Sequence, residues 1–253
     1  MANLQLIPLT DMPLIQPGDD LAGLIFSSSQ KAGLTLRHND MVVIAQKIVS
    51  KAEGRLVRLA DVMPSAEAQE LAKITGKPAR HVEVILWDTA EIIRARKDVL
   101  IVQHKLGFIS ANAGVDHSNV SNEDGVLLRL PENPDASARA IRQKLNELSG
   151  ARPPVLIIDS HGRPWRLGTV GVTIGLSGLA PVQNLRGTPD LFGDPLTITE
   201  VGFADQIAAA ASLVMGQAAE GCPVVIVRGL PVTPDETARA AAVLRPKKMD
   251  LFR

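Results

Sequence analysis

Asn112, Asp116, Ser118 and Asn119 crowd the stretch GFISANAGVDHSNV (107–120), which opens on the apolar pair Phe108 and Ile109. A core strand has no use for that density of short oxygen-bearing side chains. A loop that brings backbone and a carboxylate up to a hard, charged ligand does. Small residues allow close approach, and Asp and Asn supply the oxygens that Mg²⁺ or Mn²⁺ prefer. Taken alone, the same residues also make an ordinary polar turn after a strand. A second carboxylate, Asp159, closes the apolar run PVLIIDS (154–160) and is followed by Ser160. A divalent ion bridging phosphates needs only one or two carboxylates besides substrate oxygens. Cations suited to a polyphosphate stand at Lys47, Lys51 and Arg55, and again at Arg163 and Arg166 in GRPWR. Lysine meets phosphate as a point charge and arginine as a fork. The competing roles are a solvated strand end for the first group and packing on Trp165 for the second.

Other chemistries are disfavoured by pattern. The five histidines form no H-x-x-x-H pair and no Cys/His cluster, so a zinc site is not expected. His117 and His161 flank the two aspartates and read as supporting or solvent-facing groups. Ser118 and Ser160 lack the G-x-S-x-G elbow of a serine hydrolase. Glycines 168, 171, 175 and 178 fail the G-x-G-x-x-G spacing of a dinucleotide site, and no G-x-x-x-x-G-K-[ST] loop occurs. Along β-prone sequence they instead suggest bends or close backbone approach inside a sheet.

The elements that must position these groups follow from periodicity. Strands are expected at 4–9, at 41–50, at 99–104 with GFISAN as its neighbour, at 126–131, at 154–160 and at 223–229. Helices are expected after Asp19 or Asp20, from Pro64 to a stop at Gly76, around 79–96, and from Pro134 to Gly150 with Ala138, Ile141, Leu145 and Leu148 inward. A last helix is expected from a Thr199 cap through Met215 to Gly216 and Gln217. Strand-rich blocks alternate with helices but not in regular βα units, which predicts an α+β fold with mixed or antiparallel sheets and packed helices. The chain is long enough for one large domain or two smaller ones.

Lys+Arg and Asp+Glu are both 27, so nothing suggests a nucleic-acid footprint or membrane steering. No apolar run reaches spanning length, and the N-terminus lacks a signal-peptide pattern. The single cysteine, Cys222, excludes an internal disulfide, fits a reducing compartment, and is expected to be a buried, inert thiol. The expectation is a cytoplasmic globular protein.

Taken together and in this order, SKAEGR, ANAGVDHSNV, LPENPDASA, DSHGRPWRLG, VTIGLSGL, TEVGFADQIAAAASLVMGQ and PVVIVRG closely resemble the coenzyme F-420 gamma-glutamyl ligases. The similarity runs from about residue 4 to residue 230. It implies GTP-dependent addition of L-glutamate to a deazaflavin coenzyme precursor through an acyl phosphate, releasing GDP and phosphate. It also implies two divalent ions (Mg²⁺ or Mn²⁺), a stimulatory K⁺, and a two-lobed α+β subunit in an intertwined homodimer. By this resemblance Asp116 and Asp159 match the first metal's ligands. Ser160 (often Thr in the family) and Gln217 (often Glu) belong to the second. Met12, Pro13, Leu14, Ile15, Gln46, Lys47, Lys51, Asn119 and the segment opening at Met215 and Gly216 match the nucleotide contacts. Lys51, Arg163 and Arg166 are the expected stabilisers of the transferring phosphoryl group. The flavin-binding, nitroreductase-like domain fused to some actinobacterial relatives is not expected here. A related GTP-dependent ligase for another carboxylate acceptor, and a non-catalytic nucleotide-binding relative, are the alternatives. The second would have been favoured by loss of Asp116, Asp159 or Lys51, all of which are present.

Overall fold

Two apolar strands that run parallel side by side carry the architecture, because the first ends beside the midpoint of the second, where its apolar run gives way to Asp159 and Ser160. The computed structural model describes residues 3–251. In chain order, β1 (Gln5–Pro8) is followed by α1 (Leu21–Lys31), β2 (Met41–Ala45), α2 (Gln46–Ala52) and β3 (Leu56–Arg58). Next come α3 (Ala66–Thr75), α4 (Ala79–Trp87), β4 (Thr89–Arg96), β5 (Val99–His104), β6 (Ile109–Ala111) and β7 (Val126–Leu128). The remainder is α5 (Pro134–Ser149), β8 (Val155–Arg163), β9 (Arg166–Ser177), β10 (Gln183–Asn184), β11 (Glu200–Val201), α6 (Phe203–Met215) and β12 (Val224–Arg228).

The main sheet has the order β1-β12-β2-β8-β9 and is mixed: β2 and β8 are parallel, and the other neighbours antiparallel. Its central strands read as continuous apolar runs because both faces are covered. One face packs with α1 and α5 around Ile25, Val42, Ile44, Ile141, Leu145 and Ile157. The other packs with α6 around Met41, Val43, Leu156, Ile207, Ala208 and Ala211. An antiparallel sheet β4-β5-β6 forms a separate core with α3 and α4, and β3-β7 and β10-β11 are two-stranded ribbons. This is the expected α+β class. Among the described residues no helix is long and apolar enough to cross a membrane.

The glycines of β9 do what their spacing suggests at two positions. A Cβ on Gly171 would sit 2.5 Å from the Ala208 carbonyl oxygen of α6, and one on Gly175 would sit 2.5 Å from Pro134 of α5. Both helices therefore approach the sheet more closely than a side chain would allow.

Several boundaries differ from the sequence expectation. The strand expected at 41–50 stops at Ala45 and becomes α2, because Gln46 and Ser50 hydrogen-bond each other across one helical turn (2.8 Å). The helix expected to reach residue 96 ends at Trp87; Thr89–Arg96 instead pairs with β5. The strand beginning at Val126 ends at Leu128 rather than at residue 131. The last helix is capped at Gly202, not Thr199, which instead accepts a hydrogen bond from Leu185 N–H in the ribbon next to it. On α5, Leu148 points to solvent, and Arg142 takes an inward position by pairing through both terminal nitrogens with Glu236. Cys222 is partly exposed rather than buried.

Candidate functional site

The parallel pairing of β2 with β8 sets Ala45 beside Ile158. The residues that follow, Gln46 and Lys47 on one side and Asp159 and Ser160 on the other, are therefore delivered to the same sheet edge. On α2 the spacing of four residues places Lys47 and Lys51 one above the other, with Gln46 and Ser50 stacked likewise on the buried side.

The loop singled out in the sequence comes across to meet them. Its entry is a tight left-handed turn: Asn112, Ala113 and Gly114 all have positive φ (54°, 52° and 68°). Two non-glycine residues in that region cost on the order of 1 kcal/mol each. Burial of Ala113 in the small core beside it is one offset. Asp116 is then pinned by reciprocal backbone hydrogen bonds with Leu128, each 2.9 Å. Its carboxylate accepts from Gln46 Nε2 at 2.5 Å and lies 3.4 Å from Lys47 Nζ. Lys47 also donates to the Ser118 carbonyl at 3.1 Å, and Lys51 to the Asn119 carbonyl at 2.9 Å. Asn119 in turn donates from Nδ2 to the Ala218 carbonyl at 2.8 Å, which ties the loop to the segment after α6. Beside it, Ser160 donates to Gln217 Oε1 at 2.9 Å, and Asp159 Oδ2 lies 3.0 Å from His161 Nε2.

The structure thus gathers Gln46, Lys47, Lys51, Asp116 and Asn119 around the loop by hydrogen bonds and an ion pair, with the Ser160–Gln217 pair beside them, joined through the chain at Ala218. Asp159 is adjacent, close enough that its charge acts on Asp116. Met215 and Gly216 close α6 immediately before Gln217, with the Met215 side chain buried in the core under α6. The turn at 12–15 approaches the far end of α2, where Gly18 N–H donates to the Ala52 carbonyl at 2.8 Å. Within it Ile15 is buried and Met12 packs on the core, so only Pro13, Leu14 and the backbone face outward. Arg163 and Arg166 face each other across the β8-β9 hairpin turn. Among the described residues, no hydrogen bond or ion pair joins them to the cluster. The contacts of Gln46 with Asp116, and the Ser118 and Ala218 carbonyls, extend the set; the helical spacing of Q-K-x-x-S-K is the sequence signal for the first.

Electrostatics follow from burial. Removal from water, with Asp159 adding to it and Lys47 opposing it, pushes the Asp116 carboxyl up to about 6. Burial, and then the Lys47 charge, lowers the Lys51 ammonium below its ordinary range. One desolvated carboxylate, Asp116, beside two crowded ammonium groups suits a ligand that is itself part cation and part anion, such as a metal–polyphosphate. Among the described residues no cluster of three or more His, Cys, Asp or Glu can hold a metal. Asp116 and Asp159 could hold one ion, and Ser160 with Gln217 could contribute to a second, phosphate oxygens and water completing each shell. These donors are all hard oxygens, which fits Mg²⁺ or Mn²⁺ and not zinc.

The family description F420-0:Gamma-glutamyl ligase matches residues 10–229. This chain belongs to that family. The matched span includes the whole β2-α2 edge, the 112–119 loop, β8 and the end of α6. Relatives named Coenzyme F420:L-glutamate ligase agree over nearly their full length. The protein from Methanothermobacter thermautotrophicus is 46% identical, with 99% of each chain covered. That from Methanopyrus kandleri is 44% identical over all of both chains. That from Methanocaldococcus jannaschii is 42% identical, covering 96% of this chain and 94% of its own.

Proposed function

We propose that this protein is a GTP-dependent ligase that joins L-glutamate to the deazaflavin coenzyme F-420 precursor. The observation that carries the reading is the convergence of Lys47 and Lys51 with Asp116, Asp159 and Ser160 at one sheet edge. Family membership and the printed names of the relatives supply the acceptor and the amino acid.

A carboxylate is a poor acyl donor because oxide would have to leave. In the proposed reaction an acceptor carboxylate oxygen attacks the terminal phosphorus of GTP, the bond to the bridging oxygen breaks, and GDP departs. The acyl phosphate is then attacked at its carbonyl carbon by the glutamate amine. Inorganic phosphate leaves, the amine gives up a proton, and an amide remains. Lys47 and Lys51 bind the phosphate oxygens, and the ligand's negative charge offsets the burial that lowers the Lys51 ammonium's hold on its proton. Gln46 and the Leu128 pairing hold Asp116 in place, and Asn119 fixes the loop over the nucleotide by its bond to Ala218. Mg²⁺ or Mn²⁺ held by Asp116, Asp159, Ser160 and Gln217 would supply charge neutralisation at the transferring phosphoryl group. Arg163 and Arg166, on the hairpin, are assigned to substrate carboxylate or phosphate that approaches from outside. The active form is taken as a homodimer. Its support is the outward display of Trp165, Leu167, Leu191, Phe192 and Ile198, which a second copy would cover.

The test is GDP release from GTP with L-glutamate, Mn²⁺ and the unglutamylated deazaflavin coenzyme, with product mass followed in parallel. The expected result is GDP formed in step with glutamate-sized mass increments, abolished in a folded Asp159→Ala protein. GTP binding without turnover would move the reading to a ligase for another acceptor. Full activity of Asp159→Ala would overturn the site assignment.

A further inference from the structure

Asp159 has a partner that the proposed chemistry does not use. His161 lies two residues further along β8, so both side chains leave the same face of the strand. Its Nε2 is 3.0 Å from Asp159 Oδ2. A carboxylate only accepts, so Nε2 carries the hydrogen and donates it. The imidazole is not free to turn away. Its ring lies against Phe108 at a centroid distance of 5.1 Å, and Phe108 stacks on His104 at 4.9 Å and 18°. His104 anchors the other end of this column: its Nδ1 accepts from the Leu106 N–H at 2.9 Å. Burial pushes its imidazole down to about 4, so at neutral pH it adds no charge behind the site. All three rings are at least nine-tenths buried.

We propose that His161 is a positioning residue for Asp159: its Nε2–H ties Oδ2, and the Phe108–His104 stack fixes the ring that does so. This rests on the reading of Asp159 as a ligand for a divalent ion. With Oδ2 engaged, Oδ1 is presented in one orientation, and the freedom about the side chain is lost before the ion arrives rather than on its arrival. Partners of this kind behind a metal ligand typically contribute roughly 10–100-fold in metal affinity.

The experiment is Mn²⁺ titration of the full chain by electron paramagnetic resonance, without nucleotide or acceptor. The proteins compared are the unaltered chain, Asp159→Ala, His161→Phe and His161→Gln. Phenylalanine keeps the ring packing and removes the donor; glutamine places an amide N–H where Nε2 stood. The expected result is Mn²⁺ affinity at least tenfold weaker in His161→Phe, recovered to within about threefold in His161→Gln, with thermal midpoints alike. His161→Asn, whose amide is too short to reach Oδ2, serves the same comparison if the Phe protein melts early. GDP release should need correspondingly more Mn²⁺ in His161→Phe and approach the unaltered rate at saturation. Unaltered Mn²⁺ affinity in His161→Phe, beside a loss in Asp159→Ala, would overturn the positioning role and leave the metal site standing. No Mn²⁺ binding by the unaltered protein, or no loss in Asp159→Ala, would overturn both.

Discussion

Asp116→Asn is expected to make the metal-free protein more stable while removing its activity. The Asp116 carboxyl is pushed from 3.8 up to about 6, first by burial and further by Asp159. At ~1.4 kcal/mol per pH unit, that rise corresponds to about 3 kcal/mol against the folded state when the group is ionised. The sign follows from proton counting. Between 3.8 and about 6 the folded form holds its proton more tightly than the unfolded form, so stability falls as pH rises through this window. Above it the full cost is present, and well below it the cost is absent. Asparagine keeps the shape and can still accept from Gln46, but it leaves Lys47 without its carboxylate, which reduces the gain. Lys47 is partly hydrated, with 30% of its side chain exposed, so this loss is the smaller effect. The net expectation is a stabilisation of roughly 1–3 kcal/mol at pH 7.5. The assay is urea unfolding in EDTA at pH 4, 5, 6 and 7.5. The unaltered protein should lose stability relative to Asp116→Asn across that series, with the difference nearly closed at pH 4. Mn²⁺ at a hundredfold excess over its dissociation constant should then stabilise the unaltered protein by about 2.7 kcal/mol and the variant much less. A variant less stable than the unaltered protein at pH 7.5, or a difference that does not change with pH, would refute the argument that burial strains this carboxylate.

Three further outcomes follow, one at the site and two in the sheet. Gln217→Glu places a carboxylate beside Ser160 and near Asp159, and is expected to tighten Mn²⁺ binding roughly tenfold, as one added charge in a partly hydrated site should. Calorimetric titration checks this, and unchanged affinity would show that residue 217 does not face the ion. Gly175→Ala drives a Cβ into the backbone and ring of Pro134, and should cost about 1–3 kcal/mol in urea unfolding by lifting the start of α5 off the sheet. Gly162→Ala, with nothing within 4 Å of its Cβ position, should stay within roughly 0.5 kcal/mol of the unaltered protein.

The local character of most elements, and the identity of the chemical groups, were already written in the order of the residues. Pro134 at the start and Gly150 at the end of α5, the continuous apolar runs of β2, β8 and β12, and an aspartate cap on α1 (Asp19 or Asp20, in the event Asp20) were legible because each depends on neighbours within a few residues. The ordered set of motifs also carried the family, since it spans nearly the whole chain. Where a segment's state depended on distant partners, the pattern misled. Thr89–Arg96 carried apolar residues at a spacing compatible with a helix, and only pairing with β5 made it a strand. Arg142 is buried because Glu236, far away in sequence, neutralises it. The site was legible as a list and not as an arrangement. Asp116 and Asp159 could be named, but their convergence with Lys47 and Lys51 required β2 and β8 to lie parallel, so that β2 gives way to α2 beside the point where β8 carries Asp159 and Ser160. That is a matter of sheet order, fixed by which apolar faces bury best against α1, α5 and α6. The charge on Asp116 was likewise invisible in the sequence: an aspartate's affinity for its proton depends on how much water the fold leaves around it.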